Sequence, residues 1–394
     1  MLAAKKLSLK ERKSMNQKCP IFKQCGSCTY LNEDYHKQCQ IKKEYCINLC
    51  QKANLKHIKV QDVIQKSSPY HYRNKVMVGF NLANQPGFYE ENSHRIIPYQ
   101  QCLLHDQESD LIIQKITSML KKYRIQIYHE DKRKGFLRHV YIRRAVNTNQ
   151  TMVVLVVTSL IFPGSKQFVK ELTQTFPSIK TIILNQNTRK TSIVLGNDEK
   201  VIYGKGYIED ILCGLKFKIS PKSFYQINHD QCEVLYHQAL DLLNLTGNET
   251  LIDTYCGIGT IGLVAAKKVK QVIGVELNKD AIKDAMTNAK NNQIKNIQFV
   301  NDDASHFMME LAKQNAKIDV VMMDPPRSGT DQTFINAIAS LKPKTIVYIS
   351  CDPSTQVRDL QQFEKIGYYT NKMYLVDLFP QTKHIESIVK LKRK

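Results

Sequence analysis

The chain has 394 residues, 42% of them hydrophobic, and carries 57 Lys plus Arg against 36 Asp plus Glu, a formal charge of +21. That length exceeds what one hydrophobic core supports, while the composition and the lack of an internal repeat exclude a disordered chain and a solenoid. The basic balance favours a polyanionic partner, nucleic acid first, over a small neutral ligand. No run approaches the roughly 18 apolar residues of a membrane span, and the start, MLAAKKLSLKERKSMNQK, lacks the apolar core of a signal peptide, so a cytoplasmic protein is expected.

Residues 1–60 hold 13 Lys or Arg against 4 Asp or Glu. Within them, CPIFKQCGSC sets Cys19, Cys25 and Cys28 in a C-x5-C-x2-C pattern, with Gly26 and Ser27 in position to turn the loop. Eleven cysteines without a secretion signal argue against a disulfide framework and for metal binding or catalysis. A metal centre needs a fourth ligand; Cys39, Cys46, Cys50 and Cys102 are all on offer, and spacing does not choose among them. Zinc sites favour paired knuckles, whereas three close cysteines plus one distant is a common iron–sulfur arrangement. Free buried thiols are the alternative.

From about residue 59 to 220 the text is strand-rich: HYRNKVMVGFN, LRHVYIRRAVN, TMVVLVVTSL, TIILNQN, TSIVLGND and LKFKISP are β-branched or alternating runs set off by Gly, Pro, Asn and Asp. A mixed, mostly β central domain is expected. The run DKRKGFLRHVYIRR holds six Arg or Lys against one Asp. Alternation in it puts Arg138, Val140, Ile142 and Arg144 on one face and His139, Tyr141 and Arg143 on the other, with Tyr141 able to stack on a base beside cations, although plain strand packing is the commoner role of such a tyrosine.

From His229 the pattern turns helical and then alternates strand with helix, which implies a mostly parallel, doubly wound α/β sheet with its active site at the carboxyl ends of the strands. ETLIDTYCGIGTIGLVAAKKV is a strand, a Gly-rich turn (Gly257, Gly259, Gly262) and a small-residue helix, suited to holding a nucleotide. The next strand, QVIGVEL, ends at Glu276, 17 positions after Gly259, close to the spacing at which a carboxylate clasps a ribose. IDVVMMDPPRSG and KTIVYISCDP follow, so that Cys256, Glu276, Asp302, Asp324 and Cys351 all fall at strand ends. The two prolines after Asp324 make a rigid strand exit without backbone donors. Three segments result: 1–58, a basic tail with the cysteine cluster; 59–220, the central domain, an RNA-binding candidate that contains Cys102; and 221–394, the catalytic domain.

With DTYCGIGTIG, DPPRSG, YISCDPSTQVRDL and HIESIVKL in this order, the chain resembles the RNA uracil-C5 methyltransferase family from Cys19 to its end. The resemblance implies a class I, Rossmann-like, S-adenosylmethionine-dependent methyltransferase domain after a smaller β-rich one. Many members carry a four-cysteine [4Fe-4S] cluster, whose ligands match Cys19, Cys25, Cys28 and Cys102. Cofactor contacts match Gln226, Tyr255, Glu276 and Asp324; the nucleophile matches Cys351 and the general base Glu386. Longer members have a further small RNA-binding barrel, for which the 18 residues before Cys19 leave no room, so RNA affinity is expected to rest on the central domain, the basic tail and the cleft.

Cluster-bearing members often act on large-subunit ribosomal RNA, which makes 23S rRNA the expected substrate and transfer RNA the alternative. An amino-group base methyltransferase and a catalytically silent RNA-binding protein are the rivals; Arg327 after the two prolines, together with Cys351, favours uracil chemistry. No membrane and no obligate protein partner are expected.

Overall fold

The computed structural model describes residues 19–90, 93, 95–190 and 193–393. The basic tail before Cys19 lies outside them. In chain order, helix α1 (Tyr35–Lys52) leads to β1 (Lys59–Ile64). The middle of the chain then supplies β2 (Lys75–Phe80), β3 (Pro86–Tyr89), β4 (Ile96–Pro98), α2 (Gln107–Met119), β5 (Leu137–Ala145), β6 (Gln150–Val157), α3 (Ser165–Thr175), β7 (Ile179–Gln186) and β8 (Asp198–Gly204). A hairpin of β9 (Ile208–Leu212) and β10 (Leu215–Ile219) precedes α4 (His229–Leu243). The remainder alternates: β11 (Thr250–Thr254), α5 (Thr260–Ala266), β12 (Gln271–Glu276), α6 (Lys279–Asn291), β13 (Ile297–Asn301), α7 (Ala304–Lys313), β14 (Val320–Met323), α8 (Gln332–Leu341), β15 (Thr345–Ser350), α9 (Pro353–Lys365), β16 (Tyr368–Tyr369), β17 (Lys372–Val376) and β18 (Glu386–Arg393).

The large sheet has the order β1-β17-β18-β15-β14-β11-β12-β13, with β16 paired to β18. Strands β11 to β15 pair in parallel, and their apolar runs are buried because helices cover both faces. β18 runs antiparallel between β15 and β17. Its amino end therefore lies at the edge where the parallel strands have their carboxyl ends. The strand order reverses between β11 and β14, and such a switch point opens a crevice at that edge. The expected doubly wound α/β domain is present.

The second sheet, β4-β3-β2-β5-β6-β7-β8, is antiparallel except for β6 and β7, which α3 joins as a crossover. Ile112, Ile113 and Ile116 of α2 pack on Val140, Ile142 and Val153 on one face. Tyr141, Met152 and Val154 face the other way and share a core with β9, β10 and α4. This is the expected β-rich domain.

Three details differ from the sequence reading. Strand β1, assigned by sequence to the central domain, pairs in parallel with β17 at the edge of the large sheet, and α1 packs beside it. The segment TSIVLGND forms no strand over its described residues, 193–197; Asn185 takes both the N–H and the C=O of Gly196 with its side chain, and the strand starts at Asp198. Tyr141 cannot stack on a base. It is 1% exposed, because the alternation in β5 is as expected but both faces of that strand are covered.

Candidate active site

The edge of the large sheet brings four residues named from sequence into one electrostatic neighbourhood. Cys351 follows the last residue of β15, and Asp352 caps α9 by accepting from Ser354 N at 3.0 Å, with Pro353 in the first turn. The thiol thus stands just before a helix N-terminus. On the antiparallel partner, Ser387 faces Ser350, so Glu386 begins β18 one step past that pair, at the level of Cys351. Asp324 leaves β14, next to β15. Arg327, three residues on, is exposed, and its positive charge acts on the Cys351 thiol.

The DPPRSG turn that carries Arg327 is pinned from α9. Arg358 Nη2 donates to Ser328 O at 2.7 Å, and Asp359 Oδ2 accepts from Thr330 N at 3.0 Å and from Tyr348 Oη at 2.8 Å. Gly329 has φ +76°, and a Cβ there would stand 2.4 Å from Asp359 Oδ2, so the close approach requires glycine.

Burial and two neighbouring carboxyl groups push the Cys351 thiol up to about 11, and Arg327 pulls against them. Burial, then the charge of Asp324, lifts Glu386 well above the ordinary carboxylate range, while burial raises Asp324 to about 7. The two carboxyls share a confined site and resist ionising together.

The loop that delivers Glu386, residues 377–385, is built by distant segments. Gln38 Nε2 donates to Gln381 Oε1 at 2.8 Å, Gln381 N donates to Gln38 Oε1 at 3.0 Å, and Thr29 N and Tyr30 N donate to Gln381 O at 2.9 and 3.0 Å. Lys42 Nζ meets Asp377 Oδ1 at 2.7 Å with both side chains at most 1% exposed. Tyr72 Oη donates to Pro380 O, and Asn228 Nδ2 to Leu378 O. Gln226 lies two residues before Asn228, buried, on the segment between β10 and α4.

On the other side of the switch point, Tyr255 directly follows β11 with φ +70°, and Gly257 comes two residues on with φ +55° and open space where a Cβ would stand. Gly257 N donates to Glu276 Oε2 at 3.1 Å, joining the Gly-rich turn to the end of β12. Asp253, missed by the sequence reading although it opens the DTYCG motif, is 1% exposed and accepts from Gly262 N at 2.9 Å. Gly262 leaves room for that carboxyl, since a Cβ would stand 2.8 Å from Asp253 Oδ2. Cys256 is buried against this turn, and Asp302 pairs with His306 at 2.8 Å. Neither is drawn into the Cys351 group. Gln38, Gln381 and the Lys42–Asp377 pair were also missed; no local signal marks them.

Cys19, Cys25, Cys28 and Cys102 are half-buried free thiols; Cys28 feels the charges of the other three, and Cys19 those of Cys25 and Cys102. Gly26, at φ +64°, turns the chain between Cys25 and Cys28. Arg73 exerts its charge on Cys28 and Cys102, and its buried Nε has no hydrogen-bond partner, so a cation with one free donor stands beside these thiols. These donors suit a net-negative thiolate cluster. As they stand, no group of three or more Cys, His, Asp or Glu side chains among the described residues is drawn to metal-holding distance. Cys39, Cys46 and Cys50, the other fourth-ligand candidates, are buried in the core under α1. No described helix is long and apolar enough to cross a membrane.

The sequence profile described as tRNA (Uracil-5-)-methyltransferase matches residues 34–394. An uncharacterized RNA methyltransferase of Halalkalibacterium halodurans is 39% identical over 380 residues, 95% of this chain and 83% of that protein. One of Clostridium tetani is 37% identical over 374 residues, 94% of this chain and 81% of that protein. In fold, the chain resembles the Pyrococcus abyssi tRNA (uracil-54, C5)-methyltransferase crystallised with S-adenosyl-L-homocysteine, with a TM-score of 0.77, 24% identity, and coverage of 95% of this chain and 87% of that one. The chain belongs to the tRNA (uracil-5-)-methyltransferase family and is an RNA methyltransferase of the uracil-C5 type.

Proposed function

We propose that the protein transfers a methyl group from S-adenosylmethionine to C5 of a uridine in RNA, with Cys351 as nucleophile and Glu386 as general base. The observation that carries this reading is the placement of the two side chains at one level of the β15–β18 ladder, with Arg327 on the thiol. Uracil C5 is a poor nucleophile and must be activated. The Cys351 thiolate adds to C6, forming an S–C6 bond and sending the ring electrons to an enolate with charge at C5. C5 then bonds to the methyl carbon, and the sulfonium leaves as the neutral thioether. Glu386 takes the C5 proton, the C5–C6 double bond re-forms and the thiolate departs. Arg327 favours the thiolate in the first step and the returning thiolate in the last.

S-adenosylmethionine, when bound, supplies the electrophilic methyl carbon. Gln226, Tyr255, Glu276 and Asp324 would hold it, the Gly257 turn admitting the nucleoside and the Glu276 carboxylate meeting the ribose hydroxyls. S-adenosyl-L-homocysteine in the Pyrococcus abyssi enzyme of like fold supports this choice of donor. Cys19, Cys25, Cys28 and Cys102 would hold a [4Fe-4S] cluster; their gathering beside the unpartnered Arg73 Nε supports it. Large-subunit ribosomal RNA is the proposed substrate, on the strength of that cysteine set. A second reading, transfer RNA, is favoured by the tRNA (uracil-54, C5)-methyltransferase activity of the Pyrococcus abyssi enzyme.

The test is transfer of a tritiated methyl group to RNA by the parent and by Cys351→Ala, followed by mapping of 5-methyluridine in ribosomal and transfer RNA from cells with and without the protein. Loss of both methylation and covalent RNA capture in Cys351→Ala is the expected result. Substantial activity in that variant would end the mechanism, and the mapped position decides between the two RNAs.

A further inference from the structure

The run DKRKGFLRHVYIRR reads in sequence as one basic face, yet three of its arginines are spent inside the protein. Arg138, Arg143 and Arg144 are each less than 10% exposed. Lys132, Arg133 and Lys134, on the turn before β5, remain exposed. Arg138 fastens that turn to a second one: its Nη2 meets Glu130 Oε1 at 2.9 Å, while its Nη1 donates to the carbonyls of Asn187 at 2.9 Å and Arg189 at 3.0 Å. The second turn follows β7 and carries exposed Arg189 and Lys190. Two turns far apart in sequence are therefore clipped at one end of the seven-stranded sheet.

The charge balance there is lopsided. Glu130 is neutralised by Arg138, Glu199 lies 3.8 Å from Lys222 and Glu90 is paired with Arg95, which leaves Asp131 and Asp198, the latter opposite Gln186 in the ladder, as nearby carboxylates against five cations. Among the described residues none of the five cations has an ion pair within 4 Å. Tyr89 adds an aromatic face at the same end: it is 39% exposed, with its hydroxyl 3.1 Å from Nε2 of His139, the residue after Arg138. Unpaired cations held together by a buried clip, with an exposed ring beside them, match a sugar–phosphate backbone and its bases.

We propose that this end of the central sheet, Lys132, Arg133, Lys134, Arg189, Lys190 and Tyr89, is a docking surface for the phosphate backbone of the substrate RNA, separate from the catalytic cleft. The surface rests on the reading of the protein as an RNA methyltransferase. At the opposite end of β5, Arg143 donates to the carbonyl of Tyr225, next to Gln226. Five residues of antiparallel strand, at about 3.4 Å each, put roughly 17 Å between the two ends. An RNA long enough to lie along the sheet would touch both, and a short oligonucleotide seated in the cleft would touch only one.

The experiment compares the parent with a variant combining Lys132→Ala, Arg133→Ala, Lys134→Ala, Arg189→Ala and Lys190→Ala. A control variant has Lys313, Lys317, Lys342, Lys344 and Lys365, exposed lysines of the catalytic domain, changed to Ala. Binding to poly(uridylic acid) is titrated over a range of salt, and methylation of a short uridine-containing oligonucleotide is assayed in parallel, with thermal melts as a check on folding. With roughly 0.7 counterions released per single-strand phosphate contact, the surface variant loses up to about 3.5 from the slope of log affinity against log salt. Its affinity at low salt falls about tenfold or more, its melting temperature and short-oligonucleotide activity stay at the parent's level, and the control keeps the parent's slope. An unchanged slope, or an equal loss in the control, overturns the surface. Absence of methylation by the parent would instead strike the functional reading, while the binding titration still judges the surface.

Discussion

Gln38 and Gln381, 343 positions apart, bond each other reciprocally through side-chain amide and backbone, and both are at most 1% exposed. Gln381 stands five residues before Glu386, and its carbonyl also accepts from Thr29 and Tyr30, directly after Cys28. The cysteine-bearing segment is thus bonded to the loop that delivers the proposed base. Gln38→Ala leaves buried donors and acceptors of Gln381 unpaired, a cost of about 1–3 kcal/mol. Turnover is expected to fall about tenfold through slower proton removal, with a larger fraction of enzyme held as a denaturation-resistant RNA adduct and an unchanged KM for RNA. Gel analysis of the adduct separates this from simple destabilisation, which would lower adduct and turnover together.

Glu386→Gln tests the base itself. The amide keeps the size and one acceptor but cannot take the C5 proton. Methylated adduct should accumulate to nearly one per active site while turnover drops by a factor of about 100 or more, within the usual 10²–10⁴ of general-base catalysis. Purified variant that turns over like the parent would require another base.

Arg327 is the cation that offsets the raised thiol, which burial, Glu386 and Asp324 push to about 11. Since the reactive form of Cys351 is the thiolate and burial shifts the thiol upward, single-turnover methylation should rise with pH from 6 toward 9. Arg327→Met removes the favourable charge and should move the rising limb to higher pH by about one unit, with a loss at pH 7 of about tenfold. A profile that is scaled down but not displaced would reduce Arg327 to a binding residue.

The parallel strands β11 to β15 were legible because each apolar run ends in a Gly, Asp, Glu or Cys signal, and a buried parallel strand leaves that record in local sequence. Glu386 was legible only by resemblance: its level beside Cys351 depends on β18 running antiparallel, which no residue near 386 announces. Tyr141 stayed open between strand packing and base stacking because alternation tells which residues share a face and not whether that face meets water. The clip of Gln38 on Gln381 and the placement of β1 beside β17 are pairings across more than 300 residues, set by packing alone.

The cysteine pocket predicts metal content. Protein purified without oxygen is expected to be brown and to hold about four irons, as a four-thiolate [4Fe-4S] centre requires. Cys28→Ser should lose most of that iron and lower the melting temperature, since Cys28 is joined through Thr29 and Tyr30 to the 377–385 loop. Zinc in place of iron, or unchanged iron in Cys28→Ser, would contradict the assignment.

Asp253 gives a stability prediction with a definite sign. Burial raises its carboxyl from an ordinary value near 3.8 to about 8, with Gly262 N pulling the other way. A carboxyl raised in the folded state contributes stability that is fully present below about pH 4 and is lost as the pH climbs through about 8, at about 1.4 kcal/mol per unit of pH inside that window. Asp253→Asn keeps an oxygen for Gly262 N and has no proton to lose, so it should remove this component. The difference in unfolding free energy between parent and variant, measured by urea titration at several pH values, should therefore move in the variant's favour by several kcal/mol between pH 4 and pH 8. Parallel curves would show that Asp253 gives up its proton in the folded protein at the same pH as in the unfolded chain, so that burial does not raise it.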